Sequence, residues 1–396
     1  MTETLEREVP TGAVAGTYDP AYQPVVDAFV TNFLERGELG ASACVVVDSE
    51  TVVDVWGGAA DAHGTPWDRD TVSVVFSCTK GATALCAHLL AARGQLDLDA
   101  PVADVWPEFA ANGKESATVR MMLDHSVGVP VLRGAVEDGE LYDWERMVGR
   151  LEAEPPFWAP GERQGYHMIN FGWTVGELVR RASGRSLGTY FADEVAGPLG
   201  LDFWIGLPEE LEPRVARIEP YVRQKGEPIN DFAKLLLSDP SSIPALAIAN
   251  TLGFRVNSRE CHAAEIGGGG GITNARGLAR MYAPLSVGGG SLLDGAAVDR
   301  MRRVSTASHR DATLQIPTRF GLGFMVSMDN RHVPLADSAV LADGAFGHVG
   351  AGGSIGFADP DVGLALGYSM NKQGPGILLN ERGQSIVDAA AACVRR

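Results

Sequence analysis

Cysteine is scarce in this chain, and its five copies (Cys44, Cys78, Cys86, Cys261 and Cys393) are odd in number and widely scattered. That excludes a disulfide framework and any spacing that would hold zinc, and leaves buried free thiols as the plainer account. Long apolar runs are missing as well: none approaches the roughly 18 residues that a membrane-spanning helix needs. Basic residues are outnumbered, 33 against 50 acidic ones, for a net charge of −17. A surface of that sign repels nucleic acid and anionic lipid, so a small neutral or weakly charged ligand is expected, with no nucleic-acid or membrane partner. Residues 1–10, MTETLEREVP, have neither a basic start nor an apolar core, which predicts no secretory leader and a cytoplasmic protein. Internal repeats and low-complexity tracts are also missing, apart from the glycine run 267–271. Over 396 residues the remaining composition is that of an ordinary globular chain, long enough for one large domain or two medium ones.

Against that plain background Ser77-Cys78-Thr79-Lys80 stands out. The extended apolar run Val74 to Phe76 leads into it, and Lys80 to Gly94 reads as a helix closed by glycine. Residues i and i+3 share a helix face, so the Lys80 amine can reach the Ser77 oxygen. Free N–H groups at a helix start favour negative charge nearby. This is the minimum needed for a serine that can be acylated; a helix start with a solvated lysine would look the same. A second match, Ser369 to Lys372, follows a strand-like run and enters Gln373-Gly374-Pro375-Gly376, which cannot open a helix at once.

After a flexible start, Tyr22 to Arg36 has helical spacing, and Ala41–Val47 with Val52–Trp56 reads as a hairpin. The middle, residues 77–300, is mostly helical signal broken by proline-rich loops, including an apolar loop from Leu235 to Phe254. Strand signals return at Phe320–Val326, Ala345–His348, Gly353–Ala358 and Val362–Ser369, and Ile386–Val394 closes as a helix. The expected fold is α+β: residues 1–76 and 301–396 form an antiparallel sheet flanked by terminal helices. Residues 77–300 form a large inserted, mainly helical domain, and the active site lies in the cleft between the two.

An acylable serine needs a base, an oxyanion hole and a proton for the leaving group. Lysine alone, with a reference pKa near 10.4, is an awkward base, and a phenolate would serve better. Tyr166 follows the loop Pro160–Gly165 and precedes a helix over Asn170–Ala182, so it can point into a cleft or simply pack a helix entry. His348-Val349-Gly350 leads into small residues where substrate could lie against backbone; a tight glycine strand with an interior histidine is the alternative. The N–H groups of Ser77 and Ala351 are the candidate oxyanion donors. Ser354, in the G-x-S-x-G run 352–356, is rejected as a hydrolase elbow because no histidine lies beyond His348 and a strand, not a helix, follows. The 267–271 glycines lack the strand, loop and lysine order of a phosphate cradle and read as a tight turn beside the cleft. Trp158, Trp204 and Phe324 are candidates for a substrate pocket or for ordinary core.

Together, Ser77-Cys78-Thr79-Lys80, Tyr166 and His348-Val349-Gly350 resemble the three sequential motifs of the serine β-lactamase and penicillin-binding-protein superfamily. Trp56-Gly57-Gly58, the stretch Thr118–Pro130 and Gly267–Leu278 fall in the expected order, so the likeness runs from about residue 20 to the end. Within that superfamily the chain most resembles the class C β-lactamase-like esterases, the family VIII carboxylesterases. Penicillin-recognising relatives usually carry Tyr-x-Asn and Lys-Thr-Gly; here Met168 stands for the asparagine, with Asn170 further on, and His348 for the lysine. Both departures lower the expectation of antibiotic recognition.

The resemblance implies a serine carboxylesterase with no metal or cofactor, acting on a small-molecule ester. Ser77 attacks, Tyr166 kept partly ionised by Lys80 moves the proton, and His348 steadies Tyr166 or the leaving group. Ala351 completes the oxyanion hole, with Gly350 beside it in the binding strand, and His125 is structural. Acyl transfer to an alcohol or amine, amide or β-lactam opening, and a catalytically idle scaffold are the alternatives, and a homo-oligomer is left open.

Overall fold

Residues 364–370, Leu-Ala-Leu-Gly-Tyr-Ser-Met, alternate large with small side chains, and this alternation layers the molecule. The computed structural model describes residues 2–394. Its first strands are β1 (Glu3–Val9), β2 (Gly12–Tyr18), β3 (Gly40–Val47), β4 (Glu50–Gly58), β5 (Ser73–Val74), β6 (Phe203–Ile205) and β7 (Gly271–Thr273). The later ones are β8 (Thr306–Ser308), β9 (Thr318–Phe320), β10 (Met325–Val326), β11 (Phe346–Val349), β12 (Ile355–Asp359) and β13 (Leu364–Met370). Helices that position the site are α1 (Gln23–Glu35), α2 (Thr79–Ala92), α3 (Val119–Leu123), α4 (Phe171–Ser183), α5 (Asp231–Ser238), α6 (Ile243–Ala249), α7 (Ala275–Ser286) and α8 (Glu381–Val394).

Ten strands form one antiparallel sheet in the order β1-β2-β4-β3-β13-β12-β11-β10-β9-β8, so the two ends of the sequence meet where β3 pairs β13. On one face Leu364, Leu366, Tyr368 and Met370 bury against Val25, Phe29 and Val30 of α1 and Ile386, Val387 and Ala390 of α8. On the other face α7 lies so close that a Cβ on Gly367 would sit 2.2 Å from the Ala275 carbonyl oxygen. The expected α+β fold, with terminal helices on one face of an antiparallel sheet, is the observed one. The second serine–lysine match belongs to this sheet: Ser369 is buried in β13 with its hydroxyl 2.9 Å from that of Ser42.

Three local expectations are corrected. Residues 3–18 are a paired hairpin added to β4, not a flexible start. β1 is largely exposed, so it carries little of the apolar alternation that marks a strand. The 235–254 loop holds α5 and α6 instead: Asn230 and Ser242 cap them, and Pro244 sits in the first turn, where proline starts a helix rather than breaking one. Phe320–Val326 is not one strand, because Gly323, at φ 84, turns the chain onto the end of α3, its N–H donating to Leu123 O at 3.0 Å.

Candidate active site

The turn that carries Ser77 is held by two segments far apart in sequence, the run from β5 into α2 and strand β7. β5 feeds residues 73–74 into a 3-10 turn, Phe76–Cys78, that runs directly into α2. Phe76 has φ 45, a left-handed conformation that costs an L-residue about 1 kcal/mol. Its carbonyl is held by the Thr79 hydroxyl at 2.5 Å, and that hydroxyl in turn accepts the Gly271 N–H at 2.8 Å. Val75 N–H closes the set on Gly271 O at 3.0 Å. Thr79, a residue the motif treats as filler, therefore pins the turn to β7.

Ser77 is half-buried at the start of this helix, and Lys80 reaches it as the i,i+3 spacing predicts: Nζ lies 3.0 Å from Ser77 Oγ. Nζ also donates to Met168 O at 2.7 Å and Gly268 O at 2.5 Å, so the glycine run 267–271 is a carbonyl anchor for the lysine. The Tyr166 phenol is directed at the Ser77 hydroxyl, and Lys80 Nζ lies 4.9 Å from the Tyr166 ring centre. Tyr166, remote in sequence, thus shares one site with Ser77 and Lys80.

The electrostatics act against the partly ionised Tyr166 expected from sequence. Burial pushes the Lys80 ammonium well below its ordinary pKa, and burial pushes the Tyr166 phenol well above its own. Both shifts favour the uncharged form, the amine of Lys80 and the phenol of Tyr166, over an ammonium beside a phenolate. His348 is held neutral, lowered to about 3 chiefly by burial. Its Nδ1 lies 2.7 Å from Val349 O, its Nε2 has no partner among the described residues, and its ring centre is 6.1 Å from that of Tyr166. A histidine held neutral in this way offers no positive charge to an anion.

β11 docks straight onto the nucleophile turn. The Cys78 thiol donates to His348 O at 3.2 Å, and a Cβ on Gly350 would meet Val75 O at 2.3 Å. Past Gly350 a tight turn pairs Gly350 N–H with Ser354 O at 2.7 Å and Gly353 N–H with Gly350 O at 3.0 Å. Among the described residues no acceptor takes the Ala351 N–H. The Ser77 N–H, second in its 3-10 turn, is among those that such a turn leaves unpaired. Ser354 is buried ahead of β12, which leaves it no access to substrate.

The remaining candidates are walls or supports. His125, at φ 67 just past α3, accepts the His167 N–H at 3.2 Å and packs its ring 5.0 Å from that of Tyr166. Asn170 gives its amide to Val129 O at 3.2 Å, and Phe324 is core. Trp158 is tied to Ser126 O at 3.1 Å, and Trp204 packs in the small β5-β7-β6 sheet. Phe254 lies with its ring 6.3 Å from that of Phe76, the residue before Ser77. Sequence reasoning missed Asp311, a buried carboxylate that accepts the Tyr166 N–H at 3.0 Å; its only signal would have been an acidic residue in a loop.

The beta-lactamase family model matches residues 26–391. The esterase/beta-lactamase LipL of Mycobacterium tuberculosis is 36% identical over 384 residues, 91% of this chain and 83% of that protein. A solved family VIII carboxylesterase superposes with a TM-score of 0.84 at 35% identity, covering 98% of this chain and 100% of the other. A penicillin-binding-protein homologue from Caulobacter crescentus gives 0.82 at 33% identity, covering 96% and 99%.

Proposed function

The chain belongs to the beta-lactamase family, and from that premise we propose that it is a serine carboxylesterase working through an acyl-enzyme on Ser77. The observation that carries this reading is the 3.0 Å contact between Lys80 Nζ and Ser77 Oγ, with the Tyr166 phenol directed at the same hydroxyl.

The neutral Lys80 amine takes the Ser77 proton as Oγ attacks the ester carbonyl. The N–H groups of Ser77 and Ala351 receive the oxyanion, each worth roughly 3 kcal/mol of barrier in comparable sites. As the carbon–oxygen bond breaks, Tyr166 gives its proton to the leaving alkoxide and recovers one from the Lys80 ammonium. Water then adds to the acyl-serine by the same path in reverse, releasing the acid and restoring Ser77. His348, neutral, offers Nε2 as an acceptor where a penicillin-recognising relative has a lysine, so an uncharged ester suits the site better than a carboxylate-bearing β-lactam.

Ser77→Ala is expected to abolish p-nitrophenyl ester turnover while the melting curve stays in place. Turnover surviving in that variant sinks the proposal. Nitrocefin assayed alongside should be turned over far more slowly than the ester, and product analysis with an added alcohol measures how much acyl group passes to an acceptor other than water.

A further inference from the structure

Tyr166 lies in the chain leading into α4, yet its backbone is held by a loop of the sheet. Asp311, in the connection between β8 and β9, is fully buried and joins no ion pair among the described residues. Its Oδ1 accepts the N–H groups of Tyr166 at 3.0 Å, Thr313 at 2.8 Å and Leu314 at 2.9 Å. Its Oδ2 accepts the Tyr166 N–H at 3.1 Å and the Thr318 hydroxyl at 3.3 Å. The Thr318 hydroxyl also takes a hydrogen bond from Gln164 Nε2 at 3.1 Å, and Ala312 N–H donates to Gln164 O at 3.1 Å. Phe320 of β9 then stacks on the Tyr166 ring at 5.8 Å and 14°. Backbone and ring of the tyrosine are thus both registered by the same sheet edge.

We propose that Asp311 is a positioning residue whose carboxylate, by clamping the Tyr166 N–H, sets where the phenol meets Ser77. The inference rests on the role given to Tyr166 in the proposed function. A carboxylate that only tied its own loop would need the Thr313 and Leu314 contacts alone; the contact of both oxygens with Tyr166 ties that loop to the reacting group. The phenol oxygen is at the far end of its side chain, so a small rotation at the backbone is magnified at the hydroxyl. Misplacement by about 1 Å costs about 100-fold in rate.

The test is a double-mutant cycle with Tyr166→Phe, using p-nitrophenyl acetate and following each melting curve by circular dichroism. Asp311→Asn is expected to lower kcat about 100-fold with little change in KM, and Thr318→Val to lower it several-fold. In the Tyr166→Phe background neither change should lower turnover further. A merely structural carboxylate predicts equal losses in both backgrounds, and that result, or wild-type kcat in Asp311→Asn, overturns the inference. Should Asp311→Asn not fold, Thr318→Val decides: it frees Oδ2, which also accepts the Tyr166 N–H, while the Thr313 and Leu314 contacts of the loop stay in place, and wild-type kcat in that variant overturns the inference. Wild-type turnover in Tyr166→Phe alone is a different failure: it removes the role of the tyrosine, and with it the clamp's purpose.

Discussion

Lys80 hydrogen-bonds three oxygens, two of them carbonyls, and among the described residues no carboxylate offsets the loss of solvent around it. In the role proposed for it Lys80 acts as a base, and the sign of the pH dependence follows: activity should be present while the amine is neutral and be lost as pH falls through its lowered pKa. His348 is not the titrating group, since it changes charge only at about 3. A kcat/KM profile of His348→Gln should therefore keep the acid limb of the wild type, even if its height drops; a displaced limb would assign the titration to the histidine. Lys80→Arg cannot deprotonate near neutrality and should lose on the order of 10³-fold in kcat, measured on the same ester. Ser77 and Lys80 were legible in sequence because their contact is local. Thr79 and Asp311 were not, since the groups they bind, Gly271 and Tyr166, lie 192 and 145 residues away.

Strand β11 and the nucleophile turn meet through Gly350, where a Cβ would strike the Val75 carbonyl. Gly350→Ala should push β11 off the turn, costing about 1–3 kcal/mol in a urea titration and, through the displaced Ala351 N–H, lowering kcat more than KM. Gly149→Ala is the matching control: a Cβ added to that exposed helical glycine would meet nothing within 4 Å, so the variant should gain about 0.5–1 kcal/mol with turnover unchanged. Among the elements, α1, α2, α4 and the β3–β4 hairpin announced themselves because one buried face or a closing glycine marks each of them. β1 has one buried residue in seven and no such mark, so only pairing with β2, itself paired to β4, makes it a strand. The prolines near α6 misled for a related reason: the same residue starts a helix or ends one, depending on caps that only the folded chain arranges.

Across the whole molecule, His88, His125, His167 and His348 are all buried. Burial lowers each one: His88 to about 4, His167 and His348 to about 3, and His125 well below its ordinary value. In the unfolded chain they would take up protons near pH 6.5, while the folded protein refuses them, so stability is lost as pH falls from about 6.5 toward 4. His88, His167 and His348 should together cost roughly 3 kcal/mol between pH 6.5 and 5.5, with His125 adding in the same direction. Denaturant midpoints at those two values measure it, and His88→Leu, remote from the site, should remove about a quarter of the drop. From the order of residues alone came the serine with its lysine, the two-faced strands and the family they point to, because helix spacing and strand alternation are local rules of backbone geometry. Folding in three dimensions settled the rest: which carbonyls hold Lys80, which carboxylate holds Tyr166, and which protons the buried groups keep. Those depend on desolvation and on contacts between segments far apart in the chain, and no local rule encodes either.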